Sequence, residues 1–372
     1  MTDSTTKKLD YVVGEHPDLM PPGLSTGVLG WIYQKLFSSV FYTILTLASL
    51  YLLWLLIPGL IQWAILDSVL IADSRKACVA VDSGACWAFV TKFSGLFVYG
   101  FYPEVERWRA DLSFLLFFVA VAPVLFDNIP HRGKFLIFSL LYPFVAGWLI
   151  VGGWGLEYVP SDKYGGFLLT MIIGVTGITF SLPLGILLAL GRNSDMPALK
   201  MICITFIEFI RGVPLITLLF VASTMLSYFL PPGTNFDILL RVLIMVTLFS
   251  SAYVAEVIRG GLAAIPKGQI EAGDSLGLGY WQSMRLVVLP QALKISIPGI
   301  VNTFIGLYKD TTLVIVIGMM DPLGIARFSL SNSNWMGLST EVYLFVALFF
   351  FASCFSMARY SIYLEKKLHT GH

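Results

Sequence analysis

The stretch EVIRGGLAAIPKGQIEAGDSLGLGYWQSMRLVVLP, Glu256 to Pro290, is the longest polar interruption in the second half of an otherwise very apolar chain. Pro266 and Gly268 open a short helical segment, Lys267 to Leu276, in which Lys267, Gln269, Glu271, Asp274 and Ser275 alternate with Ile270, Ala272 and Leu276. Ala272 and Gly273 leave one face almost bare of side chain, so another protein's surface can approach the backbone closely. Gly277 and Gly279 then permit a sharp change of direction before Trp281, Met284, Leu286, Val287, Val288 and Leu289 lead back into apolar sequence. A helix this short and polar buries little of its own. It predicts a cytoplasmic docking platform that fills a cleft in a partner; the plainer alternative is a solvated connector between two membrane helices.

Around this stretch the chain reads as a membrane protein. Its 372 residues are 57% hydrophobic and 13% charged, with net charge +1 and mean hydropathy +0.80, and charges so sparse cannot cover a soluble protein of this size. Eight apolar stretches read as spans: about Leu36 to Leu66, Leu112 to Phe126, Phe135 to Gly153, Gly166 to Leu190, Ala198 to Leu230, Phe236 to Ile258, Val287 to Met320 and Glu341 to Tyr363. If the polar loop lies inside the cell, alternation puts Lys7, Lys8 and Lys35, then Arg132 and Lys134, Arg192 and Lys200, Arg259, Lys267, Arg285 and Lys294, and finally Lys366 and Lys367 on the same side. That is the side where lysine and arginine accumulate. Both termini are then cytoplasmic. Residues 1–35 form a polar tail without the short apolar core and small-residue cleavage site of a signal peptide.

Particular residues also carry a resemblance. Glu271, Ala272, Gly273, then Gly277, then Val287, Leu289 and Pro290 resemble the EAA loop of ATP-binding cassette importer permeases, with Gly273 standing for the second alanine and Val287 for isoleucine. SAYVAEVIRGG (Ser251 to Gly261), PKGQIEAG (Pro266 to Gly273), LPQAL (Leu289 to Leu293) and EFIRGVPL (Glu208 to Leu215) are similar to the polar amino-acid branch of that family. Together they cover roughly residues 165–365. The resemblance implies an all-α membrane protein of about eight transmembrane helices, with a five-helix type I importer permease core over 161–365 and the loop 259–287 on the cytoplasmic side. It implies that Lys267, Gly268, Glu271, Ala272, Gly273, Ser275, Leu276 and Gly277 couple the chain to an ATPase, whose groove would receive their helix.

The first three spans, within residues 36–160, precede the family-like region and read as an added block. Its segment Asp67 to Asp111 is turn-rich, of mixed charge, and falls outside the cell. There Cys78 and Cys86 could close a small loop by oxidation, or remain two free thiols. SGACWAF, Ser83 to Phe89, is similar to the longer permease subunits of general amino-acid importers. Cys203 and Cys354 read as packing residues, and His131 as a solvated loop histidine; no metal-ligand spacing is present.

Two spans carry charges where lipid should be. Glu208 and Arg211 fall near the middle of the second core span, just before Gly212 and Pro214, where the helix should bend or unwind. Lys309, Asp310, Thr311 and Thr312 interrupt the fourth core span at what spacing suggests is a similar depth. A zwitterionic amino acid requires both signs of charge plus backbone groups freed by broken helices. Arg211 or Lys309 could take the carboxylate and Glu208 or Asp310 the ammonium. Alternatively Glu208 pairs with Arg211 at i, i+3, and Lys309 and Asp310 merely fix helix packing.

No GxxxxGK[ST] phosphate loop occurs in the chain, and no Ser-His-Asp set. The expectation is therefore a non-catalytic subunit that binds no cofactor itself, with ATP and magnesium on a partner ATPase dimer. The resemblance further implies, as partners, a second permease chain, related but different, a periplasmic amino-acid-binding protein, the amino acid and membrane lipid; nucleic acid is not among them. The location is a bacterial inner membrane. The rival functions are a gradient-driven secondary transporter using Glu208 and Asp310 as ion-coupled carboxylates, and a membrane scaffold that transports nothing.

Overall fold

A computed structural model of the chain describes residues 27–81, 84–126, 128–225, 228, 231 and 236–368. Most of the expected tail 1–35 and the end of the expected tail 366–372 thus lie outside the described residues. Among those residues there are helices and isolated bridges but no strand. Seven helices are long and apolar enough to cross a membrane, or eight when one sharply bent pair is taken as a single span.

Contacts divide the chain into two compact units, residues 1–68 with 82–85, and the remainder. The expected boundary between 160 and 161 falls inside the larger unit. In the smaller unit, α1 (Gly27–Leu36) and α2 (Val40–Ile61) are separated by a break at 37–39, where the Ser39 hydroxyl accepts from the Tyr42 amide. The expected first span therefore begins later than Leu36. It continues as helix to Leu66, and none of its described residues is buried.

In the larger unit the expected turn-rich segment contains three short helices, α3 (Arg75–Val81), α4 (Ala88–Lys92) and α5 (Ser94–Tyr99). Cys78 and Cys86 are joined by a disulfide. Phe89 and Phe97 are fully buried beside Trp335 and Phe345, so aromatic packing orders a segment whose polar sequence suggested turns. Next come α6 (Arg107–Leu125) and α7 (Arg132–Val151). The second span begins ahead of the expected Leu112 because its first charges are neutralised locally: Arg107 pairs with Glu104, buried Arg109 with Glu106, and Arg109 Nη1 also donates to the Glu157 carbonyl at 2.7 Å.

The centre of the larger unit is α8 (Gly166–Arg192) against α11 (Ile238–Ala263) and α14 (Leu289–Asp310). Lipid tails are as apolar as these side chains, so close van der Waals fit must supply much of the association. Glycines provide it. A Cβ on Gly185 would stand 2.6 Å from Val254, one on Gly299 2.6 Å from Val257, and one on Gly261 2.5 Å from the Ala292 carbonyl oxygen. Between α8 and α11 run α9 (Pro197–Gly212) and α10 (Leu215–Thr224), bent by 100°. The bend falls at the Gly212–Pro214 break anticipated from sequence. The short α12 (Lys267–Ser275) and α13 (Tyr280–Ser283) join α11 to α14, while α15 (Pro322–Leu330) and α16 (Ser339–Leu368) complete the chain.

Candidate functional site

The polar loop folds as a projecting helix with an ordered exit. Two turns of α12 end in paired bonds, Leu278 N–H to the Gly273 carbonyl at 3.1 Å and Gly277 N–H to the Asp274 carbonyl at 2.9 Å. This is the Schellman arrangement, which requires the left-handed backbone that Gly277 adopts at φ +74°. Gln282 then accepts from the Gly279 amide and starts α13. Lys267, Gly268, Glu271, Ala272, Ser275, Leu276 and Gly277 are all exposed, and Gly273 alone of the eight is buried. Its departure from alanine has a local reason: a Cβ there would meet Ser283 Oγ at 2.8 Å. Leu276, Tyr280 and Trp281 are also largely exposed, so an apolar edge adjoins the polar helix.

The charges in the core separate into two groups. Glu208 and Arg211 do not pair with each other. Arg192 Nη1 lies 2.8 Å from Glu208 and 3.3 Å from Glu256, Arg211 lies 3.8 Å from Glu256, and Arg259 lies 2.7 Å from Glu256. Arg211 also stands over the Tyr253 ring. Five charges thus tie the ends of α8 and α9 to α11 near the end that carries α12. Their contacts place Glu208 and Arg211 nearer that end than counting residues from Ala198 suggested, because α9 crosses the end of α8, with Gly191 packed against Cys203.

Lys309 and Asp310 close α14, and a 3-10 helix, Thr311–Ile317, follows at once. Thr311 donates to the Tyr308 carbonyl at 2.8 Å and Thr312 to the Lys309 carbonyl at 2.9 Å, each reaching back across the break. Among the described residues neither Lys309 nor Asp310 has an ion pair. Gly177 fixes their level, since Leu307 and Val246 both pack against it. From Val246 to Glu256 is about 15 Å of helix at 1.5 Å per residue. The two charge groups therefore lie at different depths and are not brought into one site.

Three members of the first group, Arg192, Glu256 and Arg259, lie outside the site set expected from sequence. Glu256 and Arg259 belong to the opening stretch, but the span was expected to end at Ile258, whereas α11 runs to Ala263. Their i, i+3 spacing with opposite charge was the available signal. Asp321 was missed as well. It is fully buried at the start of α15, accepting from the Leu323 and Gly324 amides at 3.2 and 2.8 Å, and burial pushes its pKa up to about 6.

The family model described as "Binding-protein-dependent transport system inner membrane component" matches residues 181–370. The chain is 48% identical to the inner membrane amino-acid ABC transporter permease protein YhdY of Escherichia coli (strain K12), covering 97% of this chain and 98% of that one. It is 46% identical to the glutamate/glutamine/aspartate/asparagine transport system permease protein BztC of Rhodobacter capsulatus, covering 94% of this chain and 96% of that one. A crystal structure of an amino acid ABC transporter with histidines aligns with 54% of this chain and 91% of its own, at 30% identity and a TM-score of 0.48.

Proposed function

This chain belongs to the family of binding-protein-dependent transport system inner membrane components, and on that premise we propose that it forms one half of an amino-acid path whose energy is delivered through α12. The family is one of membrane permeases without catalytic activity of their own, served by an ATPase and a solute-binding protein. ATP and magnesium sit on the ATPase and none on this chain. Two ATPase subunits require two such helices, so a second permease chain completes the path. The added α6–α7 hairpin favours a related but different chain.

The observation that carries the proposal is the exposure of α12 beside Leu276, Tyr280 and Trp281. A polar helix edged with bare apolar side chains is suited to a groove and is costly to leave in water. Only residues 264–266 separate it from α11, and α13 leads directly to the turn that starts α14. Movement of α12 is therefore delivered to α11 and α14, which interlock at Gly261 and Gly299. The EAA-loop side is cytoplasmic in this proposal, which puts the 127–134 turn and both termini there too, in keeping with the basic residues on that side.

Along the path, Lys309 and Asp310 meet the solute's carboxylate and ammonium, with Thr311, Thr312 and the changing backbone offering further polar contacts. Glu208 and Arg211 lie further in. Their network with Arg192, Glu256 and Arg259 is the layer that must rearrange before solute leaves, because α11 is common to it and to the α12 linkage.

Co-purification with the candidate ATPase tests the coupling, comparing the unsubstituted chain with Glu271→Lys and Gly277→Asp and reading amino-acid-stimulated ATP hydrolysis in vesicles. The expected result is that the unsubstituted chain retains and couples the ATPase while both variants lose coupling. Retained partner and retained coupling in both variants would leave α12 a connector, and uptake by this chain alone under an ion gradient would favour a secondary transporter. Arg211→Ala with unchanged transport and normal assembly would remove Arg211 from the path.

A further inference from the structure

The α6–α7 hairpin is clamped near its basic turn by two cross-links, Arg132 Nε donating to the Pro123 carbonyl at 2.9 Å and Ser139 Oγ to the Ala120 carbonyl at 2.6 Å. A groove of ≈ 610 Å³ opens along the hairpin, lined by Leu116, Val119, His131, Lys134, Phe135 and Phe138. Lys134, Phe135 and Phe138 lie on one face of α7, and His131 caps its start in the left-handed region. From Arg132 to Phe138 that face extends about 9 Å, at 1.5 Å per residue, into the apolar part of the span. Among the described residues no carboxylate lines the groove and Lys134 has no ion pair. The walls are therefore apolar and the mouth is cationic. A soluble anion would not use the walls, and an uncharged apolar helix would bury the lysine without a counter-charge.

We propose that this groove is a binding site for an acidic phospholipid, its phosphate held between Lys134 and His131 and one acyl chain laid against Leu116, Val119, Phe135 and Phe138. Basic mouths between spans at the cytoplasmic surface suit anionic headgroups. The proposal rests on the membrane-permease function and, for the choice of leaflet, on the sidedness proposed above. Neither the path nor the ATPase-coupling helix contributes a residue to the groove.

The test is native mass spectrometry of the purified full-length chain offered dioleoylphosphatidylglycerol and dioleoylphosphatidylcholine together in equal amounts. The expected result is preferential retention of phosphatidylglycerol. Lys134→Ala should reduce that retention by about fivefold and Lys134→Glu by about thirtyfold, with one cationic side chain taken at the usual worth beside an acidic headgroup. Val119→Trp, which fills the groove, should lose both lipids, whereas Lys200→Glu on α9 should change nothing. Equal retention of the two lipids, or undiminished phosphatidylglycerol on Lys134→Glu, overturns the proposal. Should the charge reversal fail to fold, thermal unfolding of the unsubstituted chain decides: a higher midpoint with phosphatidylglycerol than with phosphatidylcholine supports the site, and equal midpoints overturn it. Both measurements are made in detergent, so they are independent of sidedness and of ATPase coupling, and each reading can fail without the other.

Discussion

The charges around Glu256 and those at Lys309 and Asp310 occupy the same helical bundle about 15 Å apart in depth, and among the described residues only the first group is ion-paired. Glu256 faces three arginines drawn from three helices, while Lys309 and Asp310 carry no ion pair among the described residues. Within apolar surroundings a matched network resists change, because removing one member strands the others. Charges without partners are suited to a visiting ligand that brings its own. Under the proposed function the first group holds the helices together and the second meets the solute.

The strongest way to break that contrast is Glu256→Ala. It leaves Arg192, Arg211 and Arg259 without their common partner, and the expected loss is roughly 3 kcal/mol, the low end for a buried pair because Glu256 is partly exposed. The midpoint of unfolding in detergent should fall well below that of Asp310→Asn; equal midpoints would remove the distinction.

Asp321 sharpens it as a buried carboxylate that accepts from two backbone amides, with the Arg327 charge acting on it as well. Its pKa is raised by burial from 3.8 to about 6, so the fold favours the neutral form. That contribution is complete below the ordinary value and is lost as pH rises through about 6. Relative to Asp321→Asn, the unsubstituted chain should lose roughly 2–3 kcal/mol between about pH 4 and pH 7, read from unfolding midpoints across that window. Parallel profiles for the two chains would contradict this.

Lys309→Met should leave the unfolding midpoint unchanged and lower amino-acid uptake in the reconstituted transporter by about tenfold, the worth of one charge-assisted contact. A fall in stability with transport intact would place Lys309 with the first group instead. The smallest effects belong to α12. Gly277→Ala strains a left-handed position and should cost about 1 kcal/mol of local stability. Gly273→Ala should be close to neutral, since its helical gain is offset by displacing the rotatable Ser283 hydroxyl. Hydrogen exchange over 267–278 measures both.

Much of this organisation was legible beforehand. The apolar run lengths marked the spans, Gly212 and Pro214 marked the bend, and the spacing from Glu271 to Pro290 marked the family. The folded segment after α2 was not, because Phe89, Phe93 and Phe97 order it only against Trp335 and Phe345, more than two hundred residues away in sequence.

Sequence alone determined that the chain is apolar enough to live in a membrane, where its helices break, and that a polar helix separates two of them, since these depend on composition and on neighbours a few residues apart. Only the tertiary structure decided which charges meet. Glu208 and Arg211 sit one turn apart on α9, yet each finds its partner on another helix. Depth and pairing are set by how α9 crosses the end of α8 and how glycines let α8, α11 and α14 approach, and helix crossings are not encoded in local spacing.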